Sequence, residues 1–138
     1  MRTFLLCFLL IPIASFSQNF NESAISQAVL KKIAEKPTAH QPIFIMLENQ
    51  VNLEQLVTNF DKNNISVNER PKMVVSALKN KATTTQNNLL NYLENSPDVL
   101  TESIHSYWIS NLIFVKAKPS VIAELSRNEE VDWIAFNS

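Results

Sequence analysis

The 138-residue sequence contains no glycine. Glycine takes positive φ without strain and lets a phosphate approach the backbone, so its absence excludes a Walker loop, a dinucleotide-binding fingerprint and a nucleophile elbow. Most familiar enzyme motifs go with it. Cysteine is nearly as scarce: the single copy, Cys7, lies inside an early apolar run and reads as one more apolar residue, too early to be a lipidated cysteine at a cleavage site. It supports neither a disulfide framework nor a thiolate metal site. The two histidines, His40 and His105, stand far apart with no H-x-x-x-H or H-E-x-x-H spacing, so no metal ligand set is expected. A charge excess is lacking too, with 12 basic residues against 13 acidic ones, a formal net charge of −1 and no basic segment. Nucleic acid is therefore not an expected partner. No stretch approaches the ~20 apolar residues that cross a bilayer as a helix, so the mature chain is expected to have no membrane partner.

What is present is a globular composition. Apolar residues make up 46% and charged residues 18% of the chain, enough to bury a core and to fit one domain of common size. Arg2, an apolar run over residues 4–13 broken only by Pro12, and the small residues Ser15 and Ser17 compose a secretory signal, residues 1–17, with a cut before Gln18. The expected localisation is secreted or periplasmic.

Periodicity then divides the remainder. Ala24, Ile25, Ala28, Val29 and Ile33 repeat at helical spacing and end before Pro37, giving a leading helix and linker over residues 18–40. The run 42–48 (PIFIMLE) is a strand, too short and too rich in strand formers for a buried helix. Leu53, Leu56, Val57 and Phe60 mark a helix capped by Asn52, and a longer helix runs from Pro71, tolerated in a first turn, to Asn95. Its threonine-rich middle, residues 83–88, is a place to kink or fray. Two strands follow over 102–109 and 112–118, joined by Ser110 and Asn111, where asparagine tolerates positive φ. A helix over 121–127 and a strand over 131–136 close the chain. The fold class is thus α+β, the ferredoxin-like (split βαβ) arrangement: a four-stranded antiparallel sheet with helices on one face and a long helical insertion after the first strand.

Helices on one face leave the other to water or to a partner. In the third strand Ile113, Val115 and Ala117 form one set and Leu112, Phe114 and Lys116 the other; in the last strand Ile134 and Phe136 oppose Trp133 and Ala135. Both sets are apolar. A face carrying Leu112, Phe114 and Trp133 is more apolar than solvation needs, which marks a contact surface, unless the leading or the long helix folds over it.

Certain blocks resemble a known family. The stretch 43–56 (IFIMLENQVNLEQL), in which a strand passes through V-N-L-E into a helix, the block 103–125 (SIHSYWISNLIFVKAKPSVIAEL) and the closing VDWIAF over 131–136 together resemble the N-terminal propeptide, or peptidase-inhibitor domain, of secreted bacterial subtilisin-like serine peptidases. The resemblance covers residues 43–136, and residues 41–138 are assigned to it as one domain. It implies an intramolecular chaperone and temporary inhibitor with no chemistry of its own, here without the peptidase domain. The open sheet face would pack on two surface helices of the peptidase, and a C-terminal tail would lie in its cleft. Acidic groups that cap those helices in the family are replaced by Ser110 and Asn111, which accept hydrogen bonds without charge. Asn137 and Ser138 are the tail here, and two residues span at most ~7 Å, so binding is expected to exceed inhibition. The implied partner is a subtilisin-like serine peptidase, in cis or in trans. The implied partner-binding residues are Leu112, Phe114, Lys116, Trp133, Ala135, Ser110, Asn111, Asn137 and Ser138.

No catalytic residue and no cofactor are expected. Glu129, Glu130 and Asp132 read as a solvated turn rather than paired carboxylates, and Trp108, Trp133 and Tyr107 as strand residues in core or interface. Asn21 and Asn64 head glycosylation acceptor triplets that matter only in a eukaryotic secretory pathway. The alternative function is a secreted ferredoxin-like protein-binding or oligomerisation module unrelated to proteolysis, using the same face.

Overall fold

In the computed structural model, which describes residues 18–137, the apolar run after His40 forms strand β1 (Gln41–Leu47). The expected signal segment, residues 1–17, and Ser138 lie outside the described residues. Ahead of β1 a 3-10 turn (Glu22–Ala24) leads into α1 (Gln27–Glu35), capped by the Ser26 side chain. After it come α2 (Leu53–Lys62), capped by Asn52 as its position suggests, and α3 (Arg70–Asn95), with Pro71 in its first turn. Strands β2 (Val99–Tyr107) and β3 (Leu112–Ala117), helix α4 (Pro119–Ser126) and strand β4 (Val131–Phe136) complete the order. The sheet runs β2-β3-β1-β4 with every adjacent pair antiparallel, the split βαβ topology expected from the element order.

Alternation decides where the core sits. Ile43, Ile45 and Leu47 of β1 and Ile113, Val115 and Ala117 of β3 all point to one side and are fully buried. Val29 and Ile33 of α1, Leu89 and Leu93 of α3, and Ile122 and Leu125 of α4 meet them there in one cluster. So α1, α3 and α4 share one face. The leading segment belongs to the same core through Ile25, which bridges to Ile134 in parallel, while the Ser26 N–H donates to the Ile134 carbonyl at 2.9 Å. These contacts occupy part of the free edge of β4, where unpaired backbone groups invite another strand.

Three details depart from sequence spacing. The 26 residues of α3, about 39 Å of helix, run unbroken through the threonines. The Thr83, Thr84 and Thr85 hydroxyls donate to carbonyls four residues back, so their polar groups are satisfied within the helix itself. Strand β2 lies earlier than expected, at Val99–Tyr107 instead of 102–109, so Trp108 and Ile109 belong to the turn and Trp108 is not a strand residue. The extra length is absorbed between Leu100 and His105, where the buried Ser103 hydroxyl donates to the Leu100 carbonyl at 2.6 Å and accepts the Lys116 N–H at 2.8 Å. In β4, Leu47 pairs with Val131 and Met46 with Trp133, leaving Asp132 as an extra residue; this bulge turns both Val131 and Ile134 inward.

Lacking glycine, the chain places asparagine at the two positive-φ positions among its described residues, Asn64 (φ 51°) and Asn111 (φ 43°).

Helices α3 and α4 also meet at a polar contact in which the Tyr92 hydroxyl donates to the Glu124 carboxylate. Burial, then that hydrogen bond, then the charges of Glu124 and Asp98 push the Tyr92 pKa well above its ordinary value near 10. The contribution to stability is complete below about pH 10 and is lost as pH rises through the elevated folded value. Thermal melts between pH 8 and 12 should therefore show wild type losing more stability above about pH 10 than Tyr92→Phe, which has no proton there to lose. Parallel melting curves would contradict the assignment.

Candidate functional site on the open sheet face

Strand register places the outward residues in rows that cross the sheet. One row is His105, Phe114, Phe44 and Ala135; the next is Tyr107, Leu112, Met46 and Trp133. A third is Leu100, Lys116 and Pro42, extended by the Asn137 N–H, which donates to the Pro42 carbonyl at 3.1 Å. The aromatic members touch. Phe44 lies 5.4 Å from Phe114 and 6.4 Å, edge to face, from Tyr107, and His105 stacks on Phe114 at 6.1 Å. Such contacts order the rings, while Phe44 and Phe114 stay only half-buried.

The face is exposed for its size and chemistry. Met46 is 36% exposed, Trp133 37% and Tyr107 47%, whereas their strand neighbours Ile45 and Ile134 are fully buried. At one end of the face lies the turn after β2, with Ile109 65% exposed. Phe44, Tyr107, Trp108, Ile109, Ser110 and Leu112 there line a cleft of about 430 Å³. Lys79 of α3 reaches over the Trp108 ring at 5.2 Å to its centroid, holding the indole against the helix as a cation–π pair.

Of the sequence-expected residues, Leu112, Phe114, Lys116, Trp133 and Ala135 come together on this face. Ser110 is exposed at the turn and Asn137 at the end of β4; Ser138 lies outside the described residues. Asn111 does not join them. It is only 2% exposed, its Nδ2 donates to the Asn49 carbonyl at 2.8 Å and the Thr85 hydroxyl at 2.9 Å, and its Oδ1 accepts from Gln86 Nε2 at 3.0 Å. Its side chain is spent inside, holding the turn to α3 and to the segment after β1. Phe44, Met46, His105 and Tyr107 also stand on this face, although the sequence pattern did not mark them as partner-binding residues. Parity in β1 carried the signal for the first two, since Phe44 and Met46 alternate with Ile43, Ile45 and Leu47.

Charge is sparse within the rows. Lys116 is the cation within the rows, while Lys118, just past β3, is paired with Asp98 at 2.8 Å. Hydrogen bonds from Lys118 and Ser120 hold the Asp98 carboxyl below its usual pKa. Glu130 Oε1 accepts from Asn88 at 3.1 Å, tying the acidic turn before β4 to α3. Among the described residues no three His, Cys, Asp or Glu side chains gather as a metal site, and no helix is long and apolar enough to cross a membrane. The arrangement offers a binding surface, apolar at its centre with a cleft at one end. No family model matches the chain, and neither a search of curated proteins nor one of solved structures finds a match.

Proposed function

We propose that the chain is an exported, propeptide-like module that docks through its open sheet face on a subtilisin-like serine peptidase, assisting its folding and occluding it. The carrying observation is the pair of apolar rows, His105 to Ala135 and Tyr107 to Trp133, on the face opposite α1, α3 and α4. The likeness of residues 43–56, 103–125 and 131–136 to peptidase propeptides names the partner class, and the signal-like start at Arg2 and the apolar run after it supports export.

The module works by binding energy. A preformed rigid sheet loses little freedom on docking, so its apolar rows convert to affinity with a small ordering cost. A surface that binds only the native-like peptidase pulls the folding equilibrium toward that form by mass action, and docking early would speed a slow α/β fold of high contact order. The test is refolding. A denatured subtilisin-like peptidase diluted into buffer should regain activity faster with an equimolar amount of this chain than without it, and Phe114→Asp should give no gain. Equal recovery with and without the wild-type chain would overturn the reading.

A further inference from the structure

We propose that Met46 is an oxidation switch for the docking face: conversion of its thioether to the sulfoxide by a peroxide turns off docking without unfolding the protein. The proposal rests on the docking function argued above. Sulfur chemistry in this chain is confined to Cys7 and three methionines, Met1, Met46 and Met73. Among the described residues, Met46 is the one sulfur side chain on the face. It pairs across the sheet with Leu112 on β3 and with Trp133 on β4, at the middle of an apolar row. At 36% exposure it is open to a small oxidant, although Ile45 and Leu47 on either side of it are buried. Met73, on α3, is 42% exposed and off the sheet, and so serves as an internal control of comparable accessibility.

The chemistry is a two-electron oxygen transfer. The sulfur lone pair attacks one peroxide oxygen, the O–O bond breaks as the S–O bond forms, and the second oxygen leaves as water after proton transfer; the sulfur is oxidised and the peroxide reduced. In the free protein the new sulfoxide oxygen is hydrated at the surface, and the core beneath is untouched. Docking would remove that water. The Leu112 side chain has no hydrogen-bond donor, and the indole N–H of Trp133 is the one side-chain donor on the two residues paired with Met46, so the oxygen would be buried without its full set of partners. The same geometry works in reverse, since a docked partner covers Met46 and should shield it from peroxide while Met73 stays open.

The experiment uses hydrogen peroxide on the wild-type chain, alone and mixed with a subtilisin-like peptidase whose catalytic serine is blocked. Peptide mass spectrometry reads sulfoxide at Met46 and Met73, and titration reads affinity. Oxidised wild type should bind about tenfold more weakly or worse, the scale of burying one unpaired polar group, with an unchanged melting temperature. Peroxide-treated Met46→Leu should keep its affinity, untreated Met46→Gln should lose it, and Met46 but not Met73 should be shielded in the complex. Full affinity in the oxidised wild type, or equal losses in Met46→Leu and wild type after peroxide, would overturn the switch alone. Failure of untreated wild type to bind would overturn the docking function, and the switch with it.

Discussion

Ile113→Asp should leave the chain unfolded at room temperature, while Phe114→Asp, its immediate neighbour, should melt within a few degrees of wild type. The two side chains leave β3 in opposite directions. Ile113 is fully buried, paired with Ile45 on β1 and Ser106 on β2, and part of the single cluster that joins the sheet to α1, α3 and α4. A carboxylate there must be buried without a counter-charge or else protonated, and either way the cavity loses its aliphatic filling; changes of this kind cost roughly 4–5 kcal/mol or more. That is most or all of the 5–15 kcal/mol that keeps a domain folded. Phe114 is half-buried on the open face, tilted against the Phe44 ring and stacked with His105. An aspartate in its place loses those contacts but keeps its water. Far-UV circular dichroism and thermal melts separate the two outcomes, and the reverse pattern would mean that the helices cover the other face.

Asn111→Ala should destabilise the fold by about 3 kcal/mol, the sum of unsatisfied buried partners and a left-handed backbone no longer favoured by its side chain. The unsatisfied groups are specific. Gln86 is 1% exposed in the middle of the apolar stripe of α3, where its Nε2 donates to Asn111 Oδ1 at 3.0 Å and to the Tyr107 carbonyl at 3.3 Å, and its Oε1 accepts from the Ser106 hydroxyl at 2.5 Å. Removing the Asn111 amide strips Gln86 of its nearest acceptor and leaves the Asn49 carbonyl without its donor. In a domain of this size the loss should lower the melting temperature by roughly 10 °C. Asn111→Gly separates the two causes, because glycine accepts φ 43° at no steric cost while losing the same hydrogen bonds; it should melt above Asn111→Ala. If both variants melt with wild type, the network does not hold the turn.

Much of this was legible in the sequence, and the reasons it stopped where it did are physical. The order of strands and helices followed from periodicity, and the two-sided pattern of β3 followed from alternation. Which side faced out did not, because Leu112 and Phe114 are as apolar as Ile113 and Val115; only the convergence of Val29, Leu89 and Ile122 on one side settles it. Asn111 announced its positive φ, but its burial depends on Gln86, 25 residues away, a pairing that no local window contains. Trp108 and Ile109 look like strand residues by type, yet the chain must turn over Trp108 to Asn111 to bring β3 back, and the Asn111 N–H closes that turn on the Trp108 carbonyl at 3.4 Å. The bulge at Asp132 left no signature either, since an extra residue in one strand is seen only against its partner. The continuous apolar run of β1 concealed Phe44 and Met46 by having no polar side to contrast with them.

If the open face docks on a subtilisin-like peptidase, as we propose, affinity depends on Phe114. Calorimetric titration of an active-site-blocked peptidase with wild type and with Phe114→Asp tests it most directly. Wild type should give saturable heat, and the variant, folded by circular dichroism, should bind at least about 30-fold more weakly, the loss of roughly 2 kcal/mol expected for a central interface aromatic. Equal affinities for the two proteins, or no binding by wild type, would contradict the account.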